Sequence, residues 1–292
     1  MRILVVADIH GNRAALEAVR EPCDLCVCLG DIVDYGPEPV ACVDWVRKNA
    51  AYCVRGNHDH GVAQNVDVQG GAGFRFLTAV TRPLSVAALS PDRRRFLGDL
   101  PTTRMLSLGG KRFFLVHATP RDPMDEYGPP DPAFWAPRVA GLGVHFVLVG
   151  HTHQPYVLRV GPTTVVNPGS VGLSRDGDPR ASYAVIDNDT VRLERIDYPV
   201  AETLAATEAT VPDPTARQML AEIYRGGTYL ARWATARTPP SASASASGLP
   251  SSLSSSSSSS LSSSSPSSPS VSVPAPAPAP APVPVLESEP QG

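Results

Sequence analysis

The sequence lacks two features that would each point to a particular partner. It has no basic excess, because 25 Lys and Arg face 28 Asp and Glu and leave a formal net charge of −3. Proteins that bind nucleic-acid polymers or anionic membranes need such an excess, so neither partner is expected. No apolar stretch approaches a membrane span, and the run Met1 to Ala7 is too short for a signal-peptide core. We therefore expect a cytoplasmic protein.

Cysteines are few and odd in number, which argues against a disulfide framework. They fall in stretches that resemble core sequence, so all are expected to be buried, reduced thiols: Cys23, Cys26, Cys28, Cys42 and Cys53. The first three resemble a metal-binding knuckle. However, Cys26 and Cys28 lie on one face of a predicted strand, which favours buried thiols over a metal site.

The composition changes abruptly after about Arg237. Ser-Ala repeats, a long serine run and Pro-Ala alternation from Pro274 to Pro284 follow, with too few large apolar residues to offset the entropy of ordering. We predict a folded domain over residues 1–236 and a disordered tail over residues 237–292.

The first sixty residues alternate between apolar runs and helical patterns. Strands are predicted at Arg2 to Ala7, Leu25 to Leu29 and Ala51 to Val54, with helices from Arg13 to Arg20 and up to Asn49 between them. This alternation predicts a parallel sheet with right-handed crossovers. In such a sheet, the carboxyl ends of the strands form the ligand crevice.

Later elements are predicted from cap, turn and alternation signals. Gly109-Gly110 predicts a hairpin whose second strand ends at His117, and His145 to Val149 reads as a buried strand. Four further strands and two closing helices follow. Gln64 to Leu89 gives a weaker signal and is interpreted as a mixture of loop and helix.

Residue types that bind metals follow the predicted strands. They are Asp8, His10, Asp31, Asn57, His117, His151 and His153. Seven ligands are more than one metal needs, and they match two six-coordinate metals that share a bridge. Mixed oxygen and nitrogen ligands without thiolate favour Mn, Fe, Zn or Co over Mg or Ca. Asp31, at the tip of the second strand, is the natural bridging carboxylate.

A second set of side chains is predicted to act on the substrate. His58 is the candidate for contacting a phosphate and protonating the leaving oxygen, and Asp59 is expected to orient that imidazole and keep it charged. Asn57 is a further candidate contact. Asp34 is interpreted as a supporting or turn residue. Three arginines are within conceivable reach of a phosphate, although a structural or solvated role is favoured for each: Arg55, Arg121 and Arg175.

Five motifs in order resemble those of the calcineurin-like metallophosphoesterases, and in particular the small bacterial branch of YfcE-type phosphodiesterases. They are D-x-H at Asp8 and His10, G-D-x-x-D at Gly30 to Asp34, G-N-H-D at Gly56 to Asp59, a strand-end His117, and G-H-T-H at Gly150 to His153. N-P-G-S follows at Asn167 to Ser170. The resemblance covers roughly Met1 to Asp197, and the five motifs together are highly specific. One departure is Ala-Thr-Pro after His117, where many relatives have a glycine.

The resemblance implies a four-layer α/β/β/α sandwich and two divalent metal ions, with Mn favoured and Fe, Zn, Co or Ni as alternatives. By analogy, one metal is held by Asp8, His10, Asp31 and His153, and the other by Asp31, Asn57, His117 and His151. The implied reaction is hydrolysis of a small phosphodiester by attack of a metal-bridging hydroxide. Alternatives are a phosphomonoesterase, a dinucleoside polyphosphate hydrolase or, on the pattern of the retromer subunit with this fold, a non-catalytic scaffold. The oligomeric state is not predicted.

Overall fold

The computed structural model describes residues 1–67 and 72–229. The predicted tail, residues 237–292, and the end of the predicted domain lie outside the described residues. Strands within them are β1 Arg2–Val6, β2 Leu25–Cys28, β3 Ala50–Cys53, β4 Thr103–Leu108, β5 Lys111–Val116, β6 Phe146–Leu148, β7 Tyr156–Val160, β8 Thr163–Asn167, β9 Ala181–Asp187 and β10 Thr190–Ile196. Helices are α1 Arg13–Ala18, α2 Pro39–Asn49, α3 Asn57–Ala63, α4 Gly73–Ala88, α5 Pro91–Asp99, α6 Pro132–Val139, α7 Val200–Thr210 and α8 Pro214–Gly226.

The strands form two five-stranded sheets. The first has the order β10-β9-β1-β2-β3, and the second has the order β4-β5-β6-β8-β7. Strands β1, β2 and β3 run parallel to one another, which confirms the prediction for the first sixty residues. In the second sheet, β5, β6 and β8 run parallel, and β4 and β7 pair antiparallel at the two edges.

The inner strands are apolar on both faces because each sheet is covered on both sides. In β1, Ile3 and Val5 belong to a cluster that includes Phe113 and Leu115 of the second sheet. Their neighbour Leu4 points the other way, into a cluster with the helices. Successive side chains of a strand alternate between its faces, so a doubly covered strand shows the continuous apolar run seen in the sequence.

Helices complete the outer layers. Side chains of α1, α2 and α5 pack on the outer face of the first sheet, as Leu16, Val43 and Leu97 show. Trp135 of α6 packs on the outer face of the second sheet and is fully buried. The predicted four-layer α/β/β/α sandwich is therefore confirmed. Among the described residues, no helix combines the length and apolar character needed to cross a membrane.

One helix was not predicted from the sequence, and another confirms the interpretation of Gln64 to Leu89 as a mixture of loop and helix. No helix was predicted directly after β3, but Asn57–Ala63 is the helix α3. The weakly predicted stretch contains the sixteen-residue helix α4, although Pro83 lies inside it. Proline disfavours a helix interior, so the local signal is weak. Burial of Phe76 and Leu77 in an apolar cluster with α8 supports the helix instead.

The cysteines follow the predictions with one exception. All five are free, and Cys26, Cys28, Cys42 and Cys53 are buried. The prediction was wrong for Cys23, which is exposed because it lies in the connection that precedes β2 rather than on the strand.

Candidate active site

Six of the predicted metal ligands form two buried groups where strands of both sheets end. One group is Asp8, His10 and His153, and the other is Asp31, His117 and His151. Within each group, the potential ligand atoms all lie within 4.8 Å of one another. Asp8 and His10 follow β1, Asp31 follows β2, His117 follows β5, and the last two histidines follow β6. Parallel strands that end at one edge thus bring together residues far apart along the chain.

Distances within the groups fit ligand atoms that share a cation. In the first group, His10 Nε2 lies 3.1 Å from His153 Nε2, and Asp8 Oδ1 lies 3.4 Å from His153 Nε2. In the second, His151 Nδ1 lies 3.2 Å from His117 Nε2. Two nitrogens bound at right angles to one metal, with bonds of about 2.1 Å, would be separated by about 3.0 Å.

The Asp31 carboxylate lies between the two groups. Its Oδ2 atom is 3.2 Å from His117 Nε2 in its own group and 3.7 Å from His10 Nε2 in the other. Its Oδ1 atom accepts a hydrogen bond from the backbone N–H of His58 at 2.9 Å, which fixes the carboxylate plane. Asp31 is therefore the residue placed to contact cations in both groups.

Carbonyl oxygens turn three of the imidazoles toward the site. The Nδ1 atom of His10 contacts the carbonyl of Val33 at 3.0 Å, and that of His117 contacts the carbonyl of Leu29 at 2.8 Å. His153 Nδ1 contacts a carbonyl in the same way. A carbonyl accepts, so each Nδ1 carries the proton. In a neutral ring, the Nε2 lone pair is then free for a metal.

The backbone of the site adopts a conformation that side-chain-bearing residues rarely adopt. Five of the seven predicted ligands have positive φ angles: Asp8 (53°), His10 (46°), Asp31 (55°), His151 (68°) and His153 (57°). Each such residue costs of order 1–3 kcal/mol, and such residues persist where the surrounding fold over-determines them. The fold thus holds the ligands in place at a cost in stability.

Burial keeps three imidazoles neutral. It lowers the pKa of His10 and of His153 well below the ordinary range. Burial, reinforced by the charge of His117, lowers the pKa of His151 to about 3. Neutral imidazole is the form that binds a metal, so these side chains are ready to act as ligands at pH 7.

The buried carboxylates of Asp8 and Asp31 bring negative charge into the site, and a cation would balance it. Burial and the nearby charge of Asp31 raise the pKa of Asp8 to about 7. For His117, burial opposes the charged form, but the Asp31 carboxylate outweighs it and raises the pKa to about 10. The buried atoms Asp8 Oδ1 and Asn57 Oδ1 have no hydrogen-bond partner within the described ranges. Unpartnered buried polar atoms are costly, and divalent cations would relieve that cost, so the residues fit the metals that the motifs imply.

Gly56 allows the chain that leads into Asn57 to approach Asp31 closely. A Cβ atom on Gly56 would lie 2.0 Å from Asp31 Oδ1 and 2.5 Å from the Asp31 backbone nitrogen. Asn57 then begins α3, directly beside that carboxylate. The glycine of G-N-H-D therefore has a packing role at the candidate bridge.

His58 lies beside the first group, but its partner is not the predicted one. Its ring centroid is 5.0 Å from that of His10, and its Nδ1 atom contacts Asp34 Oδ2 at 2.8 Å. Asp59 instead accepts hydrogen bonds from the backbone N–H groups of Asp31 and Ile32, both at 2.8 Å, and of Gly56 at 3.1 Å. The assignment of Asp59 as the orienting residue was therefore wrong, and Asp34 takes that place.

Sequence reasoning missed two neighbours of this histidine. The hydroxyl of Tyr35 lies 3.3 Å from His58 Nε2, and burial raises the pKa of Tyr35 to about 12. Arg82, which is buried, pairs with Asp34 from helix α4. Asp34 had a signal in the G-D-x-x-D motif. Nothing in the sequence links Arg82 to that motif, 48 residues earlier.

The three arginines considered for phosphate binding lie in different places. Arg55 donates to the carbonyl of Gly98 at 2.6 Å and so fastens the end of α5, which favours a structural role over a substrate contact. Arg121 is exposed. Arg175 stacks on the Phe74 ring at 3.7 Å, and its charge contributes to lowering the pKa of His10, His151 and His153. Of the three, Arg175 is the one that faces the metal-ligand groups.

The N-P-G-S turn holds the ligand loops. The Asn167 amide donates to the carbonyl of Gly150 at 2.8 Å and to the hydroxyl of Thr152 at 3.0 Å, on either side of His151. The Ser170 hydroxyl donates to the carbonyl of Asp8 at 2.7 Å. The turn therefore supports both groups from behind.

Comparisons with known proteins cover this part of the chain. A family model for the calcineurin-like phosphoesterase superfamily domain matches residues 1–191. MJ0912, an uncharacterised protein of Methanocaldococcus jannaschii, is 32% identical over 223 residues, which cover 68% of this chain and 88% of that protein. Phosphodiesterase YfcE of Escherichia coli K12 is 28% identical over 207 residues, covering 65% and 90%. A metallophosphoesterase crystal structure from Sphaerobacter thermophilus is 31% identical with a TM-score of 0.64, covering 78% of this chain and all of that one (100%). The family match includes every side chain of the two groups.

Proposed function

The chain belongs to the calcineurin-like phosphoesterase superfamily and is a metal-dependent phosphoester hydrolase, and from that premise we propose that it hydrolyses phosphodiesters with two divalent ions. Asp8, His10, Asp31 and His153 would hold one ion, and Asp31, Asn57, His117 and His151 the other. The observation that carries the proposal is the pair of buried groups, with the Asp31 carboxylate between them.

The charge of the loaded site suits a phosphate. Two divalent ions would bring four positive charges, while Asp8 and Asp31 bring two negative ones and a hydroxide brings one more, so the site would keep an excess of one positive charge. A buried site of that sign attracts an anionic ester and stabilises charge as it builds on the phosphoryl oxygens. When bound, the ions supply Lewis acidity and lower the pKa of a shared water.

His58 is the proposed general acid. Its Nδ1 atom is held by Asp34, so the Nε2 atom, which lies 3.3 Å from the Tyr35 hydroxyl, is the one proposed to give a proton to the leaving oxygen. Contact with the His10 ring places it at the edge of the first group, where an ester held by the ions would lie. Asn57 begins the same helix and is proposed as a further substrate contact.

Arg175 is the proposed anchor for the phosphate. Its buried Nε atom has no hydrogen-bond partner in the part of the chain that the structure describes. Stacking on Phe74 fixes the guanidinium, and Phe74 in turn lies against Tyr35 at a centroid distance of 5.8 Å. A planar guanidinium with free donors matches the geometry of a phosphate.

The test is turnover of bis(p-nitrophenyl) phosphate and of p-nitrophenyl phosphate by protein loaded with Mn, Fe, Zn, Co or Ni in turn. We expect the diester to be the better substrate and Mn to support the highest rate, with two ions bound per chain. The matched control is Asp31→Asn, which keeps the shape of the side chain and removes its negative charge. Folded protein that turns over neither ester with any of these metals would refute the proposal. A higher rate on the monoester, or on a dinucleoside polyphosphate, would assign the substrate to those alternative classes.

The cytoplasmic location, the small-molecule substrate, and the absence of nucleic-acid and membrane partners stay predictions from the sequence. Expression of the tagged chain and fractionation of the cells would test the first. A gel-shift assay with duplex and single-stranded nucleic acid, and a flotation assay with anionic vesicles, would test the others.

A further inference from the structure

Arg82 occupies a slot between helices α3 and α4. Its Nε and Nη2 atoms both donate to Oδ2 of Asp34, at 2.9 and 2.6 Å. Gly61 of α3 makes room for the Arg82 guanidinium, because a Cβ atom at this glycine would lie 2.2 Å from the Arg82 Nη1 atom. Arg82 is 8% exposed and Asp34 is fully buried, so solvent screens this ion pair weakly.

The same carboxylate oxygen serves His58. Oδ2 of Asp34 lies 2.8 Å from His58 Nδ1, so the imidazole and the guanidinium share one acceptor atom. A rotation of the carboxylate away from the imidazole would break both Arg82 hydrogen bonds as well. The guanidinium thereby limits the motion of the oxygen that orients the His58 ring.

The other edge of the ring is also held. The Tyr35 hydroxyl lies 3.3 Å from His58 Nε2, and the Thr78 hydroxyl donates to the Tyr35 hydroxyl at 3.2 Å. Both Thr78 and Arg82 belong to α4. One helix therefore supports the two nitrogen atoms of His58, through Tyr35 on one side and Asp34 on the other.

We propose that Arg82 is a positioning residue for His58 and acts through Asp34. The inference rests on the proposed function, in which His58 gives a proton to the leaving group. In that step the His58 Nε2–H bond breaks and an O–H bond forms on the leaving oxygen. Hydroxide supplies the electron pair of the new P–O bond, the P–O bond to the leaving group breaks, and the electron pair of that bond goes to the leaving oxygen. Nδ1–H stays with Asp34, and the ring ends neutral.

The dependence of kcat on the leaving group distinguishes two roles for Arg82. In one it positions a general acid, and in the other it only holds helix α4 in place. p-Nitrophenolate leaves readily without a proton, whereas phenolate, the base of an acid with a pKa of about 10, needs one. The experiment compares kcat for bis(p-nitrophenyl) phosphate and diphenyl phosphate in metal-loaded wild type and Arg82→Lys. We expect kcat on diphenyl phosphate to fall about tenfold further than kcat on the nitrophenyl diester, within the range attributed to general acids.

The control is Arg93→Met. Arg93 also donates twice to an aspartate, through Nε to Asp44 Oδ1 at 2.9 Å and through Nη2 to Asp44 Oδ2 at 2.6 Å, and joins α5 to α2 away from His58. We expect this variant to keep the wild-type ratio of the two rates. Arg82→Gln, which removes the charge and keeps a donor, is measured in parallel and supplies the ratio if the Lys variant does not fold.

A second readout does not depend on turnover. In long-range ¹⁵N–¹H spectra, assigned by their loss in His58→Ala, the His58 Nδ1 proton should be protected from exchange in wild type and lose that protection in Arg82→Lys. An unchanged rate ratio together with an unchanged Nδ1 signal would overturn the assignment of Arg82. Wild type that turns over neither diester would instead refute the proposed function, while the Nδ1 signal would still report on Arg82.

Discussion

The position of Asp31 leads to a prediction about metal stoichiometry. Its Oδ2 atom lies within 3.7 Å of imidazole nitrogens in both groups, whereas the imidazole nitrogens near Asp8 Oδ1 are those of the first group. Asp31→Asn, which keeps the shape and lowers the charge, should therefore weaken both ions. Asp8→Asn should weaken one. We expect two bound ions per chain in wild type, about one in Asp8→Asn and fewer than one in Asp31→Asn.

The expected thermal shifts follow from the same geometry. An ion at a hundred times its Kd stabilises the folded state by about 2.7 kcal/mol, so two ions contribute about 5 kcal/mol. In a domain of this size, each kcal/mol moves the unfolding midpoint by about 2–4 °C. Metal should raise the wild-type midpoint by roughly 10–20 °C, the Asp8→Asn midpoint by about half as much, and the Asp31→Asn midpoint by little.

The assay is elemental analysis after desalting, together with thermal unfolding of each protein with metal and with chelator. The chelated sample of each variant is its own reference, so effects of the substitution on the bare fold cancel. A full metal-dependent shift in Asp31→Asn, or equal stoichiometry in the two variants, would show that Asp31 does not join the groups.

Three further outcomes are expected. His58→Ala should keep its metal and lose about 100- to 10,000-fold in kcat on diphenyl phosphate, since that is the usual contribution of a general acid; an unchanged rate on that substrate would remove His58 from the mechanism. Arg175→Met should raise KM about tenfold or more, because charge-assisted hydrogen bonds contribute about 1.5–3 kcal/mol. Arg55→Met should instead lower the unfolding midpoint and leave KM unchanged. The reverse pattern would exchange the roles of the two arginines. Gly56→Ala should reduce metal content at both groups, because the added methyl would displace the Asp31 carboxylate, and elemental analysis showing two retained ions would contradict that reasoning.

Sequence reasoning anticipated the part of the site that depends on strand ends. Apolar runs predict where β1 and β2 stop, and the topology of a parallel sheet then places Asp8 and Asp31 at one edge. No distance had to be predicted, because the sheet itself brings these residues together. The predicted strand boundaries lie within about one residue of those in the structure, for example Leu25 to Leu29 against Leu25–Cys28.

Contacts between side chains were harder to anticipate. Asp59 follows His58 in the chain, but both lie in the first turn of α3, where consecutive residues point about 100° apart. As the third residue of that helix, Asp59 turns back to the backbone N–H of Gly56. The neighbour of His58 in space comes instead from the loop after β2, so only the fold could pair Asp34, which the G-D-x-x-D motif marks, with His58.

The left-handed backbone at five ligand positions bears on how this chain could be engineered. Glycine and asparagine tolerate that conformation better than histidine, so replacing His151 or His153 with either should relax the backbone. A variant that has lost its activity could then have a higher unfolding midpoint than the metal-free parent. Selection for heat resistance alone would tend to erase this centre, and a thermostabilisation screen should therefore include an activity requirement.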